Sequence, residues 1–193
     1  MSISEDLDYI LEKHGKPVTA APMPEASLAA LGDRVPEFLR VFWARFGQCS
    51  WFGGGFQVVD PLRYAPVVKS LLAGDPELGP EAMMVYALGP FGLLECWHDV
   101  HGDVTLATLP NWAIANRLFK PRTTAADITI GTAFVHADDN ASDRADLGGK
   151  MMFDRLKKAH GPLAQDHVFA PRLHPAFGGA LDVKNFRPVP APA

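Results

Sequence analysis

Residues 47–61 read GQCSWFGGGFQVVDP, and the three consecutive glycines in this stretch decide how the fold is interpreted. A phosphate-binding loop needs its glycines to lead directly into a helix, whose N-terminal N–H groups hold the anion. Here the glycines lead into the apolar run FQVV at 56–59, which is typical of a strand, and the helix-starting pair Asp60-Pro61 comes only afterwards. Because glycine permits positive φ and close backbone approach, the stretch predicts a tight turn into a strand, followed by a helix to about residue 73.

Two helices are predicted before this turn. Ser2 and Glu5 have the spacing of a capping box, and the apolar spacing that follows ends at Gly15. Pro36 stands where a first helical turn tolerates proline, and a second apolar stripe ends at Gly47. The proline-rich stretch between the two helices is expected to be a connector.

A meander of three strands is predicted after the turn. Short apolar runs at 83–88, 93–98 and 104–107 are separated by Gly, Pro and Asp residues that favour turns. Runs of this length with such short connections pair as antiparallel neighbours. The central part of the chain is therefore expected to be a sheet.

The last third of the chain is expected to form a small domain that contains a helix. β-branched residues at 128–135 favour a strand there, with a helix as the alternative. Apolar spacing from Leu147 to Ala159 predicts an amphipathic helix. The fold class is thus predicted to be α+β, with N-terminal helices packed on an antiparallel meander, and with domains at 1–122 and 123–193.

The composition of the chain excludes several classes of protein. It has 193 residues, of which 48% are hydrophobic and 21% are charged, as in a soluble globular protein. A net charge of -4 argues against nonspecific nucleic-acid binding. The acidic N-terminus MSISEDLDYI does not resemble a secretory signal, and the apolar region at 82–97 is interrupted by Gly89-Pro90, so no membrane span is predicted. Cys49 and Cys96 are isolated thiols, which favours a reducing cytoplasm.

Two groups of residues contain the side-chain types of catalytic or metal sites. Cys96, His98 and Asp103 lie close together in sequence with His and Asp neighbours, but no second pair of ligands follows, and a polar hairpin turn explains the same residues. His136 and Asp138 could form an acid–base pair, although an acid-rich loop before a helix gives the same pattern. The nucleophile motif GxSxG and the phosphate loop GxxxxGK[ST] are both absent. The sequence therefore predicts no catalytic centre, cofactor or metal.

The order of these features resembles the GAD-like domain found in immunity proteins of bacterial contact-dependent toxin systems. The stretches that carry the resemblance are EKHGKP at 12–17, PEFLRVFWARFG at 36–47 and WFGGGFQVVDPLRY at 51–64. The remainder of the chain is similar to the small domain that follows it in immunity proteins paired with type VI secretion DNase effectors. The matching C-terminal residues are Asp138, Asp139, Asp143, Phe153, Gly161-Pro162-Leu163, Asp166, Phe169, Pro171-Arg172-Leu173 and Gly178-Gly179. The chain departs from that pattern at His167 and at His174-Pro175.

This resemblance implies a stoichiometric inhibitor and no enzyme. The expected function is a cytoplasmic immunity protein that binds the nuclease domain of a cognate secreted toxin, without direct contact to nucleic acid or membrane. The alternative is a binding or regulatory module of a toxin system with a non-nuclease partner. An inhibitor of a toxin that cuts DNA needs about nanomolar affinity, over an interface of about 1,600 Å².

Two groups of residues are predicted to contact the partner. A DNase presents a cationic surface to its substrate, so an acidic face on the inhibitor could occupy that surface. The predicted acidic face consists of Asp138, Asp139, Asp143 and Asp146, with a solvated loop before a helix as the alternative. Trp51 and Phe52 are expected to expose an aromatic edge.

Overall fold

The computed structural model describes residues 2–109, 112–115, 121–138 and 142–191. Its helices are α1 Ile3–His14, α2 Glu25–Leu31, α3 Glu37–Phe46, α4 Pro61–Leu71, α5 Ala126–Val135 and α6 Phe153–His160. Its strands are β1 Val18–Ala21, β2 Gln48–Trp51, β3 Phe56–Val58, β4 Met83–Leu88, β5 Leu93–His98, β6 Gly102–Leu109, β7 Trp112–Ala115, β8 His167–Pro171 and β9 Phe186–Pro190.

The strands form two antiparallel sheets within the described residues. In the larger sheet, β1 to β7 lie in chain order, so that each strand pairs with the next. β8 and β9 form the second sheet. The predicted meander is confirmed as β4, β5 and β6, and the α+β prediction is confirmed.

The large sheet carries a hydrophobic core on each face. On the first, named here the α5 face, Tyr86 and Trp97 pack with residues of α1, α3 and α5. On the second, the α4 face, Val85 and Cys96 pack with residues of α4 and the second sheet. Side chains alternate along a strand, so β4 and β5 contribute to both cores. Burial on both faces explains why these strands read as nearly continuous apolar runs.

The predicted capping box and the glycine ends of the first helices are confirmed. The Ser2 hydroxyl accepts a hydrogen bond from the Glu5 N–H at 3.4 Å, and the Glu5 carboxylate accepts one from the Ser2 N–H at 2.6 Å. Gly15 and Gly47 follow α1 and α3 with φ angles of +76° and +62°. At Gly47 a Cβ atom would lie only 2.3 Å from the Ala21 carbonyl oxygen, so the end of α3 can hold no larger residue.

The prediction of a strand at 128–135 was wrong, because this segment forms α5. The hydroxyls of Thr129 and Thr132 donate to backbone carbonyls four residues earlier, which is compatible with a helix. Ile130 and Phe134 lie one helical turn apart and are both buried on the α5 face. Tertiary packing therefore overrides the β preference of the branched residues. Phe134 contacts the rings of Phe38, Phe42, Trp51, Phe56 and Tyr86.

The helix predicted from Leu147 starts later, at Phe153. Leu147 is 81% exposed and Met151 is 46% exposed, so neither belongs to the buried stripe of α6. The segment between them is a turn whose backbone is hydrogen-bonded by aspartate side chains. Apolar spacing alone cannot distinguish such a loop from a first helical turn.

Two short elements before α3 were not predicted. β1 lies inside the proline-rich stretch that was expected to be a connector, and its side chains are mostly exposed. It pairs with β2 through backbone groups alone, so no alternation of apolar residues marks it. The seven-residue helix α2 buries only Ser27 and Leu31, which gives an equally weak signal.

The predicted glycine turn is confirmed. Gly53 and Gly54 have φ angles of +72° and +91°, and the chain then enters β3. A Cβ atom on Gly54 would lie 2.5 Å from Cβ of Leu163. The Gly53 carbonyl accepts a hydrogen bond from the Leu163 N–H at 2.9 Å. The turn is therefore the site where the segment after α6 docks.

Further polar contacts fix the same segment against β3 and α4. Asp166 is buried with a φ of +57°, accepts a hydrogen bond from the Tyr64 hydroxyl at 2.8 Å and pairs with Arg63 at 3.2 Å. Three more hydrogen bonds run from Gln57 Nε2 to His167 O, from Gln165 Nε2 to Val58 O and from Phe169 N to Pro90 O. The path of the chain from α6 to β8 is thus set by the N-terminal part.

Hydrophobic packing crosses the predicted division between 1–122 and 123–193. α5 follows this division but shares a core with α1 and α3. Val168 of β8 packs with α4, and Phe91 packs with Phe153 of α6. The division into two domains stays a prediction, and the two parts share their cores.

Replacing Gly54 with alanine should destabilise the fold more than the matched change Gly74→Ala. Both glycines have a positive φ, +91° and +82°, so both changes carry backbone strain of about 1–3 kcal/mol. A Cβ at Gly54 would overlap Leu163, whereas nothing lies within 4 Å of a Cβ at Gly74. Urea unfolding should show a further loss of about 1–3 kcal/mol for Gly54→Ala, from overpacking. Equal losses in the two variants would contradict the steric role of Gly54.

Candidate functional site: an acidic pocket on the α5 face

The two aromatic residues predicted to contact a partner differ in exposure. Trp51 is 4% exposed, and its indole N–H donates to the Gly15 carbonyl at 2.9 Å. Its ring packs against Phe42 and Phe56 in the core of the α5 face. The expectation of an exposed edge was wrong for Trp51, because both its ring and its polar atom are used inside the fold. Phe52 is half-buried beside the same core.

Asp143 organises the loop before α6. Its Oδ1 accepts hydrogen bonds from the N–H groups of Arg144 at 2.6 Å, Met152 at 3.3 Å and Phe153 at 2.9 Å. The last two are at the start of α6, where N–H groups have no partner inside the helix. Asp143 thus caps α6 from ten residues away.

Asp146 has a similar structural role. Its carboxylate accepts hydrogen bonds from the N–H groups of Gly148 at 2.9 Å and Lys150 at 3.0 Å, and it pairs with Arg155 of α6. The hydrogen bond from Arg155 and those from the backbone hold the pKa of Asp146 below its usual range. Oδ1 of Asp143 and both carboxylate oxygens of Asp146 are therefore engaged by the loop and α6.

Asp138 is exposed just after α5. Asp139 lies outside the residues that the structure describes. Asp138 borders a cavity of about 190 Å³, named here the acidic pocket. Its lining residues are Phe56, Tyr86, Glu95, Asp103, Thr105, Ala133, His136, Ala137, Asp138 and Ser142.

Neighbouring strands bring the polar side chains of the acidic pocket together. Glu95 of β5 lies directly opposite Thr105 of β6, and the Thr105 hydroxyl donates to Glu95 Oε2 at 2.7 Å. Asp103 is two residues before Thr105, so it lies on the same face of the sheet. The Tyr86 hydroxyl donates to Asp103 Oδ1 at 2.7 Å.

Tyr86 of β4 also belongs to this group. Val85 pairs with Cys96 and Ala87 pairs with Glu95, so Tyr86 is the extra residue at a β-bulge. Met84 and Tyr86 both lie in the core of the α5 face, so Tyr86 follows the alternation of the strand, and the bulge brings Ala87 to the same face. The Tyr86 ring is fully buried, so only its hydroxyl bond to Asp103 connects it with the polar part of the pocket.

The end of α5 forms the rim of the acidic pocket. α5 ends at Val135, and the Asp138 N–H donates to the His136 carbonyl at 2.8 Å, which turns the chain sharply. This turn places His136 and Asp138 beside Glu95 and Asp103. Carboxylates accept hydrogen bonds and carry negative charge, so the chemistry of the pocket suits an ammonium or guanidinium group.

Burial sets the protonation of Glu95. Loss of water raises the pKa of Glu95 from its ordinary value of 4.5 to about 7, the Thr105 hydrogen bond opposes this, and the Asp103 charge adds to it. Burial, and then the charge of Asp103, raises the pKa of Tyr86 well above its usual range. Among the residues that the structure describes, no Lys or Arg forms an ion pair with Glu95. A partner's cation could therefore stabilise the charged form of Glu95.

The central residues of this site were not predicted as functional from the sequence. In the sequence, Glu95 stands out only as a charge in an apolar region. A single carboxylate in the middle of the predicted strand at 93–98 was the available signal. Asp103 lies on the same face of the sheet as Glu95 because of the register in which β5 pairs with β6. That register is known only from the folded hairpin.

The group of potential metal ligands near residue 98 is divided between the two faces of the sheet. Cys96 lies in the core of the α4 face, whereas Asp103 lies on the α5 face. Nδ1 of His98 accepts hydrogen bonds from the N–H groups of Val100 and His101. In the described part of the chain, no three His, Cys, Asp or Glu residues are placed to hold a metal ion.

The helices of the described residues are too short or too polar to cross a lipid bilayer.

A profile of the GAD-like domain matches residues 5–110, which include Glu95 and Asp103. The chain belongs to the GAD-like domain family. It is also similar to a solved structure, the crystal structure of Atu4351 from Agrobacterium tumefaciens, with 32% sequence identity and a TM-score of 0.89. The match covers 95% of this chain and 84% of that chain, so the shared fold extends beyond the GAD-like domain into β8 and β9. No curated protein matches the chain significantly.

The stability of this GAD-like protein should depend on Glu95 in a pH-dependent way. At pH below 4.5 the carboxyl is protonated in both the folded and the unfolded chain, whereas between pH 4.5 and about 7 only the unfolded chain loses its proton. The contribution of Glu95 to the free energy of unfolding therefore falls as pH rises through this range, by about 3 kcal/mol in total. The variant Glu95→Gln lacks this titration, so its stability relative to the wild type should rise between pH 4.5 and 8.

Urea unfolding at several pH values would measure this difference. The matched control is Glu77→Gln, which changes an exposed glutamate in the loop after α4. Parallel pH profiles for the wild type and Glu95→Gln would show that Glu95 titrates normally in the folded protein.

The structural role assigned to Asp143 predicts a contrast with the exposed Glu77. Asp143→Ala should reduce the free energy of unfolding by about 1–2 kcal/mol, because the N–H groups at the start of α6 lose their acceptor. Glu77→Ala should stay within about 0.5 kcal/mol of the wild type, as is usual for an exposed position. Denaturant unfolding checks both values, and Asp143→Asn should retain much of the lost stability because it keeps Oδ1. A neutral Asp143→Ala would contradict the capping role.

Proposed function

We propose that this protein is an immunity protein that binds the DNase domain of a cognate type VI secretion toxin in the cytoplasm and neutralises it. Membership of the GAD-like domain family supports this proposal, together with the resemblance of the C-terminal part to the small domain of such immunity proteins. The acidic pocket supplies the physical basis for binding. The protein would act by occupying a surface of the toxin, in a one-to-one complex.

One observation carries this proposal: a half-buried carboxylate, Glu95, lies in an open cavity without a basic partner among the described residues. Burying a carboxylate without a counter-charge is unfavourable in the free protein. A lysine or arginine side chain from a partner would remove that cost on binding. Since a nuclease uses such side chains to hold phosphates, its substrate-binding surface offers them in the required density.

The surroundings of Glu95 suit a cationic side chain. Asp103 and Asp138 add negative charge around the same cavity, and the volume of about 190 Å³ is large enough for the end of one side chain. Charge-assisted hydrogen bonds in a desolvated pocket are typical of the few residues that dominate binding energy. Exposed acidic residues around such a pocket also speed association with a basic partner.

The contact residues predicted from the sequence enter this proposal in different ways. Asp138 at the rim and half-buried Phe52 stay proposed contacts, and Asp139 stays a prediction outside the described residues. Asp143 and Asp146 hold the loop that follows the pocket. Trp51 supports the core beneath the turn.

A basic partner without nuclease activity would use the same pocket. The alternative function is therefore a binding module of a toxin system with a non-nuclease partner. Acid–base catalysis is a second candidate, because a carboxyl with a pKa of about 7 in a cleft is a feature of catalytic sites. Turnover of a substrate by the purified protein alone would favour catalysis, whereas inhibition of a co-expressed toxin favours immunity.

Co-expression with a nuclease-domain toxin encoded by a neighbouring gene would test the proposed function. The wild type should rescue cells and co-purify with the toxin. Glu95→Gln and Asp138→Asn should each weaken the complex, by about 10- to 100-fold for the half-buried Glu95 and by less for Asp138. Glu77→Gln, on a loop associated with the α4 face, should bind like the wild type. Rescue without formation of a complex would contradict the proposal.

The salt and pH dependence of binding in the same assay distinguish contact at the acidic pocket from attraction to the overall negative charge of the protein. Binding by the wild type should weaken at high salt and as pH falls from 8 to 6, because Glu95 takes up a proton over this range. Tyr86, Thr105, Asp103 and Asp138 complete the polar surroundings of Glu95. Glu95→Gln should lose most of the pH dependence. Unchanged affinity in both acidic variants would remove the pocket from the interface.

A further inference from the structure

A second cavity lies beside the same loop, where Arg144 and β8 meet. It has a volume of about 180 Å³ and is named here the Arg144 pocket. Its apolar lining includes Phe91, Phe169 and Phe186, and its polar lining consists of the side chains of Arg144 and His174. Ser142, two residues before Arg144, lines the acidic pocket, so the loop separates two cavities of opposite charge.

Arg144 is held in the pocket without a counter-charge. Its guanidinium lies 5.9 Å from the centre of the Phe91 ring. Among the described residues no carboxylate forms an ion pair with it. Burial lowers the pKa of Arg144, yet a guanidinium stays protonated in proteins. A permanent charge on an apolar surface, removed from water on one side, favours an anionic ligand.

His174 supplies a second hydrogen-bond donor. Its Nδ1 accepts a hydrogen bond from the Ala176 N–H at 3.2 Å. In a neutral imidazole the other nitrogen then carries the proton, so Nε2 is a donor. His174 and Pro175 line this pocket. Together with His167, they are the residues at which the chain departs from the pattern of the small domains that its C-terminal part resembles.

The size and surroundings of the pocket favour a polypeptide as its occupant. A volume of about 180 Å³ is below the roughly 300–1,000 Å³ of pockets that enclose whole small ligands, and it suits one apolar side chain. Two apolar residues within three positions of His174 are exposed, Phe177 by 79% and Leu173 by 49%. Exposed apolar residues close to a pocket extend the contact beyond a single anchor.

We propose that the Arg144 pocket binds an apolar side chain of a partner polypeptide that carries a carboxylate beside it. The apolar group packs among the three phenylalanine rings, and the carboxylate accepts hydrogen bonds from Arg144 and His174. A bidentate arginine–carboxylate contact gives both energy and orientation. The inference does not depend on the proposed function, because it concerns a cavity of opposite charge and a different ligand chemistry.

A matched pair of peptides tests this proposal on the full-length protein. Acetyl-Gly-Asp-Phe-Gly-amide carries the apolar side chain and the carboxylate, and acetyl-Gly-Asn-Phe-Gly-amide differs only in that charge. Titration followed by NMR should give a Kd of about 1 mM for the first peptide, with shifts at Phe91, Ala170 and Phe186. The second peptide should bind at least about 10-fold more weakly.

Two variants connect the binding with the pocket. Arg144→Gln should abolish the preference for the acidic peptide, and Arg144→Lys should retain part of it because the charge remains. Ala170→Leu, which fills the cavity, should abolish binding of both peptides. Equal binding of the two peptides by the wild type would overturn the proposal, as would a preserved preference in Arg144→Gln. Binding of 3-phenylpropanoate without binding of the acidic peptide would assign the pocket to a small molecule and would also overturn it.

Discussion

The close contact between the glycine turn at 53–55 and Leu163 is the constraint on which the rest of the structure depends. A side chain at Gly54 would overlap Leu163, so the turn can be approached this closely only because glycine stands there. The contact fixes where the chain after α6 crosses the sheet, and the polar bonds of Asp166 and Gln57 then hold it in that path. β8 and β9 are thereby placed against the α4 face, which completes the second core. A loop that resembles a ligand-binding motif in sequence is therefore the joint between the first and last parts of the fold.

The central sheet was predictable from the sequence, whereas the elements around it depended on tertiary contacts. β4 and β5 are buried on both faces, so their apolar runs mark them without further information. α5 carries β-branched residues that favour a strand, and only the aromatic rings surrounding Phe134 make a helix the better solution. α6 begins where Asp143 caps it, and a carboxylate ten residues away in sequence leaves no local pattern. β1 has exposed side chains and is defined by backbone pairing alone.

The residues of the candidate site were also only partly predictable from the sequence. The run of aspartates after α5 was visible as charge, but charge in a sequence does not tell which carboxylates hold the backbone of a loop. Asp143 and Asp146 accept hydrogen bonds from N–H groups of the loop and of the start of α6, and Asp138 lines the acidic pocket. Glu95, whose pKa is raised by burial, is a single carboxylate in an apolar strand, and its neighbours Asp103 and Thr105 come from the register of the next strand. The grouping of these side chains therefore depends on strand pairing, which the number of acidic residues in the sequence does not reveal.

The loop at 142–146 connects the structural and the binding roles of the molecule. Ser142 lines the acidic pocket and Arg144 lines the cationic one, so two recognition chemistries are set by residues two positions apart. Such a loop must be rigid, because a pocket that reorganises on binding loses affinity to conformational entropy. The carboxylates of Asp143 and Asp146 supply this rigidity through their bonds to the backbone and to α6. One loop conformation therefore directs Asp143 and Asp146 toward the backbone and α6 while Ser142 and Arg144 line the two cavities.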